Sequence, residues 1–185
     1  ATLAEALIAR DGFLFVASAD CPTVLLCDPL TKAFALIHAS RESTVREIAR
    51  KTVELMTGAF GVQPGDLIAG IGPGIRQESY VLQTFAPAAA ADSPWGPFCR
   101  LTDEGVAVDL IGYNRFLLIA AGVRPEHIDV APVDTFTDRD WGLGDEDPAI
   151  QLLLERLLEG ARQRQHGLAR AGQADQGHER NVGIE

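Results

Sequence analysis

Two side chains able to do chemistry bracket the stretch "CPTVLLCDPLTKAFALIH", with Cys21 at its start and His38 at its end. The apolar runs "TVLLC" (23–27) and "AFALIH" (33–38) read as two strands, and "DPLTK" between them carries the turn formers Asp28 and Pro29. A four-residue loop over 28–31 pairs Cys27 with Lys32 and sets Cys21 directly across from His38, where Cβ atoms lie about 4.5–5.5 Å apart. A five-residue loop moves the pair onto a diagonal. Facing one another, a thiol and an imidazole have two chemical uses. The ring favours the thiolate, which is the nucleophilic form. Alternatively, the two groups supply two of the three protein ligands of a catalytic zinc. The plain alternative is a small buried hydrophobe and a strand-end histidine. Spacing leaves all three open.

Other residues offer weaker signals. "GIGPGI" (70–75) is rich enough in glycine for backbone N–H groups to approach an anion. It lacks the Lys-Ser/Thr of a P-loop and the GxGxxG of a dinucleotide site, so on its own it reads as a turn. Asp20 is placed to orient an imidazole, although turn and cap roles suit both Asp20 and Asp28. His127 precedes a strand and His166 ends a helix, which are structural positions. His178 lies in a polar tail, from which it would have to fold back to act as a ligand.

The elements that must position these residues follow from hydrophobic periodicity. "FLFVAS" (13–18) and "HIDVAP" (127–132) read as strands, and "LIAGIGPGI" (67–75) as a strand entering a turn. Thr44 and Glu47 fit a capping box ahead of a helix whose inner face is Val45, Ile48, Ala49, Thr52, Leu55 and Met56, with Gly58 and Gly61 as stops. A second helix is predicted over 109–121, with Leu110, Tyr113, Leu117 and Ala120 inward. A third is predicted over 147–166, capped by Asp147, with the stripe Ile150, Leu153, Leu154, Leu157, Leu158 and Ala161. "APAAAADSPWGP" (86–97) reads as a surface loop. The closing "NVGIE" reads as a short edge strand. Strands and helices that do not strictly alternate indicate α+β.

Composition narrows the function. The chain has 185 residues, 46% of them apolar, which suffices for a core. A net charge of −10 lacks the basic footprint of nucleic-acid binding. Three cysteines without CxxC spacing fit a reducing, cytoplasmic compartment. No apolar run is long enough for a membrane span, and no signal peptide opens the sequence. It begins with Ala1 rather than Met, as a fragment or a processed form would.

Five motifs in order, "ADCPTVLLCDP", "ALIHA", "GIGPGIRQESY", "VDLIGYNRFLLIAAGV" and "HIDV", resemble the laccase-domain (YfiH-like) family over residues 11–137. That group is long labelled multicopper polyphenol oxidase and is associated with purine nucleoside phosphorylase activity. The resemblance implies a layered α/β/β/α sandwich and a zinc-binding Cys–His site. It also implies phosphorolysis of adenosine, inosine or methylthioadenosine, together with adenosine deamination. The cysteine of the family's ADC motif falls on Cys21, and the histidine opening H-A-G-W-R-G falls on His38. The glycine-proline turn falls on Gly72 and Pro73. The family's other ligand histidine sits in a V-H-G motif upstream of where this sequence begins. Here "HASRES" replaces H-A-G-W-R-G, so Arg41 stands at the aromatic position and Glu42 at the arginine position. A carboxylate there repels phosphate, which leaves Arg41 as the neighbouring guanidinium.

The resulting expectation is a zinc-dependent, purine nucleoside phosphorylase-like enzyme. Its metal site is Cys21 and His38, its substrate contacts are Gly72, Pro73 and Arg41, and its partners are nucleoside and phosphate. Neither nucleic acid nor membrane is expected as a partner. Residues 1–142 form the domain, and 143–185 add a helix and tail to it, the Leu stripe serving as core or as a homo-oligomer contact. Two alternatives are a diverged, non-catalytic binding module and a metal-free hydrolase with Cys21 as nucleophile. Multicopper oxidation needs many histidines, and the sequence has four.

Overall fold

A computed structural model describes residues 4–89 and 92–138. In chain order the elements are β1 (Ala6–Ala9), β2 (Thr23–Cys27), β3 (Phe34–His38), α1 (Arg41–Val45), α2 (Ile48–Phe60), β4 (Ile68–Ile71), β5 (Val81–Leu82), β6 (Cys99–Thr102), β7 (Gly105–Val108), α3 (Leu110–Ala120) and β8 (Ile128–Val130). They form a mixed α/β fold. One sheet has the order β1-β3-β2-β4-β8, antiparallel except for the β4–β8 pair, and a small antiparallel sheet has the order β5-β7-β6. No helix among the described residues is long and apolar enough to cross a membrane.

Period-2 alternation in β2 and β3 buries Val24, Leu26, Ala35 and Ile37 on one face. Against them pack Ala49, Val53 and Met56 of α2 and Leu110, Ile111, Leu117 and Leu118 of α3. The buried Asn114 ties the helices together, donating from Nδ2 to Thr44 Oγ1 at 2.9 Å and to the Leu110 carbonyl at 2.8 Å.

Several sequence expectations need correction. The 28–33 loop is longer than either length considered, because the buried Asp28 folds it. Asp28 Oδ1 accepts from the Leu30 N–H, its Oδ2 accepts from the Thr31 hydroxyl, and its own N–H donates to Ala33 O. Cys27 therefore pairs with Phe34, not Lys32. Residues 13–18 form no strand: β1 takes the edge beside β3, leaving Phe13 102% and Phe15 82% exposed. Thr44 caps nothing, since its hydroxyl serves Asn114. Ser40 caps α1, accepting from the Ser43 N–H at 3.2 Å, and the helix breaks at Glu47, whose φ is 61°. That break re-phases the stripe, so Val45 and Leu55 are exposed. Gly61 ends α2, whereas Gly58 lies within it.

In α3, Leu110, Tyr113 and Leu117 are inward as expected, but Ala120 is exposed. The 86–97 stretch is not purely surface. Trp95 is 3% exposed and stacks on Tyr113 with centroids 3.6 Å apart, an anchor that loop composition does not announce. The 147–166 helix, the closing strand, His166, His178 and the 142/143 boundary all lie outside the described residues.

Candidate functional site

The expected pair sits at one end of the central strands. His38 is the last residue of β3, and its direct partner is Thr23. Cys21, two residues before β2, thus lies on the diagonal rather than opposite His38. The Ala39 N–H donates to Pro22 O at 2.9 Å, so this segment still runs beside β3 beyond the ladder. The longer 28–33 loop accounts for the shift.

On the other side of His38 stands a residue that sequence reasoning missed. The β1–β3 register pairs Ala6 with Ile37, and one step further the His38 N–H donates to Glu5 O at 2.8 Å. The Glu5 carboxylate meets His38 Nδ1 at 2.8 Å. The signal available was "ALIA" at 6–9, a four-residue apolar run; read as a strand antiparallel to β3, it would have brought Glu5 to the histidine. A carboxylate on Nδ1 fixes the ring and leaves Nε2 as the outward nitrogen, the arrangement that commonly orients a ligating histidine.

Electrostatics at Cys21 run against the thiolate reading. Burial is the largest influence and pushes the thiol pKa up. Asp20 and Glu5 push it further, while an N–H···S hydrogen bond from the Arg41 backbone pulls it back only in part. A resting thiol shifted this way is a poor nucleophile. By donor type, thiolate and imidazole are both usual zinc ligands. Among the described residues no group of three or more His, Cys, Asp or Glu converges to hold a metal.

The glycine-proline turn lies against the same segment. The Gly72 N–H donates to Thr23 O and the Ile75 N–H to Asp20 O, both at 2.8 Å. These donors face the protein, so they are not free to cradle an anion. A Cβ at Gly72 would sit 2.7 Å from Thr23 Oγ1, and one at Gly74 would sit 3.0 Å from Pro22 Cα. Only glycine permits this approach. Gly72 and Pro73 therefore shape the strand end that carries Cys21.

Arg41 is exposed and lines a cleft of about 450 Å³ together with Glu42, Arg46, Thr84, Phe85 and Pro87. Asp20 does not orient the imidazole; its Oδ1 accepts from the Thr135 hydroxyl at 2.9 Å. His127 is structural, with Nδ1 3.0 Å from Leu67 O.

The family model described as "Multi-copper polyphenol oxidoreductase laccase" matches residues 4–141. A purine nucleoside phosphorylase of Deinococcus radiodurans is 34% identical over 110 residues, 60% of this chain and 43% of that protein. One of Bacteroides thetaiotaomicron is 32% identical over 142 residues, 74% of this chain and 53% of that protein. The solved structure of YlmD from Geobacillus stearothermophilus aligns with a TM-score of 0.62 at 28% identity, over 73% of this chain and 52% of that one. That of the Bacillus licheniformis hypothetical protein YfiH aligns with a TM-score of 0.58 at 27% identity, over 64% and 46%. The chain thus spans about half the length of the curated relatives it matches.

Proposed function

This chain belongs to the multi-copper polyphenol oxidoreductase laccase family, and from that premise we propose that the Cys21–His38 end of its large sheet is a purine nucleoside phosphorylase site. The observation that carries the reading is the convergence on Glu5. That carboxylate holds the His38 ring and lies close enough to Cys21 to perturb its thiol. The names of the curated relatives support the same activity.

In this reading a phosphate oxygen attacks C1′ of adenosine, inosine or methylthioadenosine. The N-glycosidic bond breaks, and the base departs with the bonding electrons and takes up a proton. Deamination of adenosine instead adds water at C6 of the base and releases ammonia. Arg41 and Arg46 attract phosphate to the cleft that begins at the residue bonding Cys21. Glu5 holds His38 with Nε2 outward. The Gly72–Pro73 turn keeps Cys21 at the strand end. Cys21 and His38 would hold zinc, with further ligands from outside the described residues. When bound, zinc supplies a Lewis acid to the reacting centre. In this reading the protein acts in the cytoplasm, with residues 1–142 as its domain.

The test is hypoxanthine release from inosine and phosphate by the zinc-analysed protein. Roughly one zinc per chain and turnover abolished in Cys21→Ala and His38→Ala are expected. Zinc-loaded protein whose turnover survives Cys21→Ala would sink the mechanism. One observation favours a second reading: Glu42 lines the same cleft as the two arginines and opposes phosphate. A diverged member of this kind would bind nucleoside, visible by calorimetry, without cleaving it. Phosphorolysis scaling with protein amount rules it out.

A further inference from the structure

The segment carrying Cys21 is clamped from outside the hairpin, and one carboxylate organises the clamp. Asp134 Oδ1 accepts from the Arg76 N–H at 3.2 Å and the Phe136 N–H at 3.1 Å, while Oδ2 accepts from the Ser79 hydroxyl at 2.5 Å. The Asp134 N–H donates to Asp138 Oδ2 at 3.0 Å. The Arg76 guanidinium donates to the carbonyls of Val133 and Ala131, stitching the 72–80 turn to the strand end after β8. Gly74 and Asp134 form a parallel bridge.

From this hub two connections reach the residues on either side of Cys21. Thr135, next to Asp134, donates its hydroxyl to Asp20 Oδ1 at 2.9 Å, and Ile75, next to Arg76, donates its N–H to Asp20 O at 2.8 Å. On the other side, Gly74 packs against Pro22 and the Gly72 N–H holds Thr23 O. Within the hairpin, by contrast, the ladder stops at Thr23. Beyond it, the Ala39 N–H to Pro22 O bond still connects the segment to the continuation of β3.

We propose that Asp134 is a positioning residue for the site. By fixing the 72–80 turn and the 134–135 segment against Asp20 and Pro22, it holds the backbone on both sides of Cys21. The proposal rests on Cys21 being a working group, yet it concerns geometry that is readable without turnover. Asp134 lies in a third segment and touches neither Cys21 nor His38.

The experiment uses one of the chain's own cysteines as an internal standard. Cys21, Cys27 and Cys99 are all free and partly buried. Cys27 lies in β2, away from the clamp, and is the reference; Cys99 follows Phe98, whose carbonyl accepts from Gln77 Nε2 of the 72–80 turn, so it does not serve as one. Time-resolved iodoacetamide labelling, read by peptide mass spectrometry, gives three rates in one tube. In Asp134→Ala the Cys21 rate rises at least about fivefold, the equivalent of losing one net hydrogen bond locally, while Cys27 keeps its wild-type rate. Asp134→Asn retains an oxygen for the Arg76 and Phe136 N–H groups, so its Cys21 rate falls between wild type and alanine.

Cys21 and Cys27 rates rising together would show that Asp134 merely holds the fold, and no change at Cys21 would show that the clamp does not reach the sulfur. Either result overturns the proposal. If Asp134→Ala does not fold, Ser79→Ala and Thr135→Val decide by the same Cys21-selective criterion. Labelling needs neither substrate nor metal. Selective labelling without phosphorolysis would therefore sink the enzymatic reading and leave this one standing.

Discussion

Replacing Gly74 with alanine tests the closest contact at the site. The added Cβ would lie 2.9 Å from Pro22 Cβ and 3.0 Å from both Pro22 Cα and N, whereas carbon pairs are at rest about 3.5–4.0 Å apart. Two of the three atoms are backbone, so no rotamer change relieves the clash. The turn cannot simply lift away either. The Gly72 N–H is bound to Thr23 O and the Ile75 N–H to Asp20 O, and Pro22 is itself held by the Ala39 N–H. Relief therefore breaks one such bond, worth about 1 kcal/mol net, or leaves comparable overpacking strain. The expected loss is about 1–3 kcal/mol. At roughly 2–4 °C per kcal/mol for a chain of this size, Tm falls measurably. Gly58→Ala is the matched control. Nothing lies within 4 Å of a Cβ there, and the residue sits inside α2, so the same methyl group should stabilise by up to about 1 kcal/mol. Urea unfolding with an unchanged m-value reads both variants. Equal effects of the two substitutions, or a Gly74→Ala variant as stable as wild type, would refute the steric account of the turn.

Three further outcomes are expected. The Asp134 pKa is lowered: burial works upward but is outweighed by hydrogen bonds from Ser79, Phe136, Arg76 and Thr137. Its contribution to stability is therefore present above the ordinary carboxylate pKa of about 3.9 and is lost as pH falls through the lower folded value. Acid unfolding followed by circular dichroism should begin at a higher pH in Ser79→Ala, which removes one of those bonds; an unshifted acid limb contradicts this. Thr44→Val leaves the buried Asn114 amide with one fewer acceptor, which should cost about 1–3 kcal/mol in denaturant titration; a neutral result would mean that the amide finds another partner. Glu5→Gln weakens the hold on His38 Nδ1, so zinc affinity measured by chelator competition should drop about 10–100-fold; unchanged affinity would remove Glu5 from the site.

What the sequence made legible follows the range of the interactions involved. α3 was readable because its pattern is local: Asp109 caps it, accepting from the Gly112 N–H at 2.7 Å, and Leu110, Tyr113 and Leu117 recur on one face. The β2–β3 hairpin was readable as a hairpin, but its register depended on how Asp28 folds the turn, and that requires knowing that the carboxylate is buried. The run at 13–18 has strand composition without a strand partner, since β1 already occupies the edge beside β3. Trp95 lies in a stretch whose prolines and alanines read as loop, yet its ring anchors the core through Tyr113.

The same distinction separates the two halves of the candidate site. Cys21 and His38 belong to one local unit, and their residue types alone raised the question of chemistry. Glu5 and Asp134 act on them from 33 residues upstream of His38 and 113 residues downstream of Cys21, intervals that no motif spans. What brings them in is sheet order. β3 has β1 on one side and β2 on the other, so the His38 ring must meet whatever residue follows the β1 ladder outward. Likewise β4 lies between β2 and β8, so the turn leaving β4 is trapped between the segment that enters β2 and the one that leaves β8. The backbone around Cys21 is thus held by strands two places apart in the sheet, and a change that alters the β4–β8 end should be felt at Cys21 before it is felt in the helices.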